Sequence, residues 1–194
     1  MTAYSGRFDK ALIYASALYR ALRPASGSIV PISRPLAIAA LIIEAGGSED
    51  EAIGGLLLDL AAGDFQPHVL DEIHRLFGAD VCQLIGNCLA SDYRKPRRTH
   101  GHIRLLSTGL AAQLARSTLI ALADSMVGAL ALHARLLNQD HPENLDPMMD
   151  HYNLLAQAFG QIRPGTLSEQ FALIVADLTA LASPYANFGP RTIS

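Results

Sequence analysis

Residues 34–60 read RPLAIAALIIEAGGSEDEAIGGLLLDL. Two apolar runs flank the short break Gly46-Gly47-Ser48. The first run, 36–45, is apolar on every side, which predicts a helix at the centre of the fold, fully buried. Pro35 suits its first turn, where a missing N–H costs nothing. Gly46-Gly47 ends it. Ser48 with Glu51 three residues on is a capping box for the next helix, and Glu49, Asp50 and Glu51 suit the positive end of its dipole. The run 53–60 is again almost wholly apolar. It carries a single charge, Asp59.

The helical period continues on both sides. Phe8, Leu12, Ala15, Leu18 and Tyr19 mark one face of a first helix. Residues 24–31 form a loop and 63–67 a turn. Short helices are expected over 71–76 and 80–89, with Gly78 as a cap between them. Residues 91–101 are polar and basic, an exposed loop or lid. A long helical stretch follows over 103–137, continuous or broken at 107–109, and holds one acid, Asp124, inside an apolar run. After a loop at 138–147 comes a helix over 148–159. The last helix is opened by a capping box of Thr166 and Glu169 and striped by Phe171, Ile174, Val175, Leu178 and Leu181. No strand-like alternation and no internal repeat interrupts this pattern. The expectation is an all-α domain of about eight or nine helices over 1–183, with a loose tail at 184–194.

Composition narrows the function. The chain has 194 residues, half of them hydrophobic and 17% charged, which excludes a disordered protein. Fifteen basic and eighteen acidic residues give a net charge of -3, without the basic surplus that captures nucleic acid. The one dense basic run is Arg94, Lys95, Arg97 and Arg98, either a solvated lid or an anion contact. Two cysteines, Cys82 and Cys88, six apart on a helix, cannot build a disulfide framework and fit a reducing compartment. No stretch reads as a membrane span, since Asp124 interrupts the best candidate, and the N-terminus does not read as a signal peptide. A cytoplasmic location is the expectation.

Asp59 and Asp124 are the chemically pointed residues. A lone carboxylate inside an apolar helix is costly unless paired, hydrogen-bonded or metal-bound. The seven histidines, His68, His74, His100, His102, His133, His141 and His151, match no zinc spacing. His100 and His102 are too close for an ordinary helical chelate; His133 lies two to three turns past Asp124. No glycine-rich phosphate loop and no nucleophile turn is present.

The run from Phe8 to Arg20, the run from Pro31 to Asp59, the stretch from Leu70 to Val81 and Leu122-Ala-Asp-Ser-Met together resemble HD-superfamily phosphohydrolases of the RelA/SpoT type, the bacterial alarmone hydrolases. The resemblance spans most of residues 7–130, with a weaker echo from Tyr152 to Phe159. It implies the compact HD fold. It also implies a divalent ion, such as manganese, held by a His, a His-Asp pair and a later Asp, which activates a water with help from a Glu-Asp pair. Position by position, the first His falls on Arg34, the His-Asp pair on Leu58 and Asp59, and the later Asp on Asp124. The Lys after that last Asp falls on Ser125. The Glu-Asp pair falls on Ala62 and Gly63, the early His on Tyr19 beside Arg20, and the phosphate-contacting loop pair on Pro24 and Ala25. Two of four metal ligands are kept and the assisting acids are gone.

The first expectation is therefore a hydrolase-like fold with no catalytic residue and no metal cofactor. It would be retained to sense a nucleotide or small phosphorylated ligand in a crevice near Tyr19, Arg20, Arg34, Asp59, Asp124 and Ser125, or to bind a protein partner. The alternatives are a divergent active phosphohydrolase, holding manganese through Asp59 and Asp124, and a structural domain that assembles into homo-oligomers through excess apolar surface. Arg34 is expected to take the place of the cation and pair with Asp59, Asp124 or both, its guanidinium being always charged and fork-shaped.

Overall fold

The computed structural model describes residues 4–21, 32–62, 66–91, 93–94 and 114–182. Among them are eight α-helices, one short 3₁₀ turn and no strand. They are α1 (Gly6–Ala21), α2 (Ser33–Glu44), α3 (Glu49–Ala62), α4 (Gln66–Phe77), α5 (Ala79–Ala90), the 3₁₀ turn Ala115–Ser117, α6 (Thr118–Leu137), α7 (Leu145–Ile162) and α8 (Thr166–Ala182).

The centre is α3, buried without interruption from Ala52 to Leu58. It packs against α1, α2, α4, α5 and α6. Each of its fully buried Leu and Ile side chains contributes about 1.5–3 kcal/mol through loss of contact with water. Glycine brings the neighbours close. A Cβ on Gly55 would stand 2.5 Å from Ile42 Cδ1, and one on Gly54 2.9 Å from Ile120 Cδ1, so α2 and α6 approach α3 more closely than alanine would allow. The capping box predicted at Ser48 is formed: Ser48 N–H and Oγ–H donate to Glu51 Oε2, at 2.8 and 2.9 Å, and Glu51 N–H donates to Ser48 Oγ at 3.2 Å. The second buried helix is α6, packed on α2, α3, α7 and α8. Contrary to the sequence reading, α6 is long and apolar enough to cross a membrane, by length and composition alone, but most of it is buried inside this fold.

Other boundaries and faces differ from expectation. α2 is not fully buried. Pro35, Ile38, Ala39 and Ile42 face inward, whereas Leu36, Ala40 and Ile43 are exposed. Its all-round apolarity therefore does not report all-round burial. α4 begins at Gln66, five residues before the expected start, with Pro67 in its first turn, a position where proline's missing donor is tolerated. α7 begins at Leu145 rather than 148. Gly78 performs the predicted stop, with φ +95° and its N–H on His74 O at 3.0 Å. The predicted Thr166–Glu169 box is not formed. Thr166 already lies in the helix, and Glu169 N–H donates to Gly165 O at 3.0 Å as an ordinary helical bond. Cys82 and Cys88 are free thiols. The expected loop at 24–31, the region 95–113 and the tail from 184 lie outside the described residues.

Candidate functional site

Four charged side chains from four segments meet where α3 ends. Arg34 comes from the first turn of α2, Asp59 from the last turn of α3, Asp124 from the second turn of α6, and Arg94 from the chain just past α5. Asp124 is 2% exposed. Its Oδ1 accepts from Arg34 Nη2 at 2.5 Å and Arg94 Nη2 at 2.8 Å; its Oδ2 accepts from Arg94 Nε and from the Tyr93 hydroxyl, both at 2.7 Å. Asp59, with a side chain 23% exposed, receives Arg94 Nη2 on Oδ1 at 2.8 Å and faces Arg34 Nε at 3.3 Å from Oδ2. Two guanidiniums thus balance two carboxylates, and four donors satisfy the buried one. Unpaired, that carboxylate would be very costly in a low-dielectric interior.

The surroundings keep their protons. Burial, and then the Asp124 charge, push the Tyr93 phenol far above its ordinary range, so it donates rather than ionises. The same two causes lift the buried Cys88 thiol to about 12, and its Sγ contacts Ser117 O at 3.7 Å. A thiol so placed carries almost no thiolate at neutral pH and is no nucleophile. Burial works against the charge on Arg94, but Tyr93, Asp124 and Asp59 together raise its proton affinity above the usual arginine value.

The expected ion pairs of Arg34 with both acids are present. Leu58, where the resemblance places a histidine, is wholly buried in the core. Tyr19 lies behind the cluster, 5% exposed, and its hydroxyl has no hydrogen-bond partner among the described residues. Burial, then the Asp59 charge, raises its pKa, while Arg34 and Arg94 act in the opposite sense. Arg20 corrects the sequence reading. It is exposed and bonds back to Ser16 O of its own helix at 3.2 Å, because one position past Tyr19 turns it about 100° away from the interior. Ser125 donates to Ala121 O at 2.7 Å and borders a cavity. Ala62 is exposed at the end of α3; Gly63, Pro24, Ala25, His100 and His102 lie outside the described residues. His68 and His74 are exposed and His133 is half-buried. Among the described residues no three His, Cys, Asp or Glu side chains gather closely enough to hold a metal ion.

Arg94 is the larger correction. The basic run was read as a solvated lid or an anion contact; its first member instead turns inward, 31% exposed, onto carboxylates of the protein itself. Lys95, Arg97 and Arg98 lie outside the described residues. A cavity of about 240 Å³ opens beside the cluster, bordered by Arg34, Tyr93, Arg94, Asp124, Ser125 and Gly128 on one side and by Met148, His151, Tyr152 and Leu155 of α7 on the other. The sequence reading did not select the α7 residues. Their spacing, 148, 151, 152 and 155, is one helical face, and two polar rings in that face were the available signal.

No family model matches this chain, and no curated protein does. The fold is similar to a solved structure described as a metazoan ortholog of SpoT that hydrolyzes ppGpp and plays a role in starvation responses. The TM-score is 0.60 at 18% identity, over 93% of this chain and 97% of the other. The described residues are therefore all helical and share the fold of that solved structure.

Proposed function

We propose that this chain is a binding module on an HD-type fold that does not hydrolyse phosphate esters. One observation carries the reading. The two carboxylates that would hold a divalent ion are already taken by Arg34 and Arg94. The donor set does not fit a metal. Asp124 accepts four hydrogen bonds from arginine and tyrosine side chains, and the position beside Asp59 is an aliphatic core residue, Leu58. A cation entering there would have to displace two guanidiniums from partly buried partners, at several kcal/mol each. The fold likeness supports the HD-type frame, and the cavity beside the cluster supports binding.

The test is elemental analysis of the purified chain together with incubation with guanosine tetraphosphate and manganese. The expected results are substoichiometric metal and no turnover. Stoichiometric manganese or zinc, or turnover abolished by Asp59→Asn, overturns the reading in favour of an active hydrolase. The resemblance alone puts a nucleotide or small phosphorylated ligand in the crevice. A thermal-shift screen against guanosine and adenosine nucleotides examines that arm, since a ligand at about 100 times its Kd adds about 2.7 kcal/mol to stability.

A further inference from the structure

The cavity beside the cluster is bordered by two guanidiniums on one side and by a mixed, mainly apolar face of α7 on the other. At one side Arg34 and Arg94 use Nε and Nη2 on the two carboxylates, which leaves the Nη1 edge of each outside the four-charge cluster. Both guanidiniums border the cavity. On the other side stand Met148, Leu155 and the ring of Tyr152, with the His151 imidazole among them. That wall is held in place. The Tyr152 ring meets Phe171 edge-on at 6.4 Å between centroids, and its hydroxyl packs so close to Gly128 that a Cβ there would stand 2.7 Å from it. A wall fixed beforehand loses little entropy when a ligand arrives.

Resting on the metal-free reading above, we propose that this cavity binds a small amphipathic monocarboxylate. Its carboxylate lies against the Nη1 edges of Arg34 and Arg94, and its apolar body lies against Met148, Leu155 and Tyr152. Three observations select this class. A guanidinium offers five N–H donors in a plane, and paired edges suit the two oxygens of a planar carboxylate. The cluster is electrically balanced, so a phosphate dianion would bring two charges toward Asp59 and Asp124 where a carboxylate brings one. The same balance leaves a ligand cation no open carboxylate, because Asp124, the one carboxylate among the described residues that border the cavity, already accepts four hydrogen bonds and is 2% exposed. The third is size. A space of about 240 Å³ is below the range of about 300–1,000 Å³ that suits drug-sized ligands.

The experiment titrates the full chain with phenylacetate, phenylacetamide and phenyl phosphate at neutral pH, following the arginine Nε–Hε resonances by NMR. Phenylacetate is expected to shift the Arg34 and Arg94 signals and to bind about tenfold or more tightly than either relative, the difference a charge-assisted pair of hydrogen bonds makes. Met148→Trp fills the α7 side without touching either guanidinium and is expected to weaken phenylacetate about tenfold or more. Should that variant melt early, Ser125→Leu narrows the same space from α6 and is expected to do likewise. Equal binding of the amide, tighter binding of phenyl phosphate, undiminished binding by both filled variants, or no binding of phenylacetate would each overturn the proposal. Metal or turnover in the assays above overturns the non-hydrolytic reading and this one with it. A metal-free, inactive chain without a preference for phenylacetate overturns this one alone.

Discussion

At the N-terminal end of α3, Arg7 meets Glu49 and Asp50, acids 20% and 24% exposed; at the C-terminal end, Arg34 and Arg94 meet Asp59, exposed to a like degree, and Asp124, which is 2% exposed. The parts are the same and the surroundings are not. Arg7 is 43% exposed, and its best ion pair spans 2.8 Å to Asp50 Oδ1. Acids there also suit the positive end of the helix dipole, so they need no cation to be tolerated. Asp59 stands at the negative end, where a carboxylate is disfavoured unless cations oppose it, and Asp124 has no water to turn to. The first group is decoration on a helix start. The second is a structural condition of the fold.

Removing cations in turn tests that contrast. Arg94→Ala should have the largest effect, about 3–5 kcal/mol from a urea unfolding midpoint, because it withdraws three hydrogen bonds from two acids and leaves two carboxylates to the single Arg34 cation. A variant that unfolds at the wild-type midpoint would mean the cluster is no more than surface charge. Arg34→Ala should cost less, about 1–3 kcal/mol, since its side chain is 36% exposed and Arg94 remains on both carboxylates.

At the open end, Glu49→Gln should cost about 1 kcal/mol. Glu49 caps α1 by accepting from the Ser5 and Phe8 N–H groups at 2.8 and 3.1 Å. Its loss should also depend on pH. Slight burial acts against its charge, but Ser5, Phe8 and Arg7 outweigh that and hold the carboxyl below its ordinary 4.5. A depressed folded-state value gives stability that is present above 4.5 and lost as pH falls through the folded value. The gap between wild type and Glu49→Gln should therefore be full at neutral pH and close on acidification below 4.5; a constant gap would deny the capping charge its role. Arg7→Ala should have the smallest effect, about 1 kcal/mol: the share owed to its ion pairs shrinks with added salt, and the share owed to the bond its Nη2 donates to Phe77 O at 2.6 Å does not.

Much of the frame was readable in the chain. Apolar periodicity placed the helices, and Ser48 with Glu51 marked the start of α3, because such signals are local. Arg34 was readable for another reason: the resemblance sets positions 34, 59 and 124 around one point, and an arginine among two acids is paired by electrostatics. Arg94 was not. A basic run in a polar segment looks solvated, and only the path of the chain after α5 shows that its first member turns inward. The exposed face of α2 was hidden as well, since a helix apolar all round carries no mark of which side its neighbours cover. Tyr93 and the α7 face, His151 and Tyr152 included, become visible only once α6 and α7 are set side by side.

The balance of two arginines and two aspartates also constrains how such a chain can change over generations. Any single substitution at 34, 59, 94 or 124 that alters charge leaves an odd charge in a poor solvent for it, while a matched pair of changes restores neutrality. Change at these positions should then proceed by compensated double steps. Related chains should vary at them together, as basic–acidic pairs lost in unison, and intermediates with three of the four charges should be rare. A metal centre of the kind the resemblance implies would be harder still to build: it asks for imidazoles at 34 and 58 and the departure of Arg94, and loss of either arginine alone leaves an acid short of its cation. The cluster acts as a ratchet.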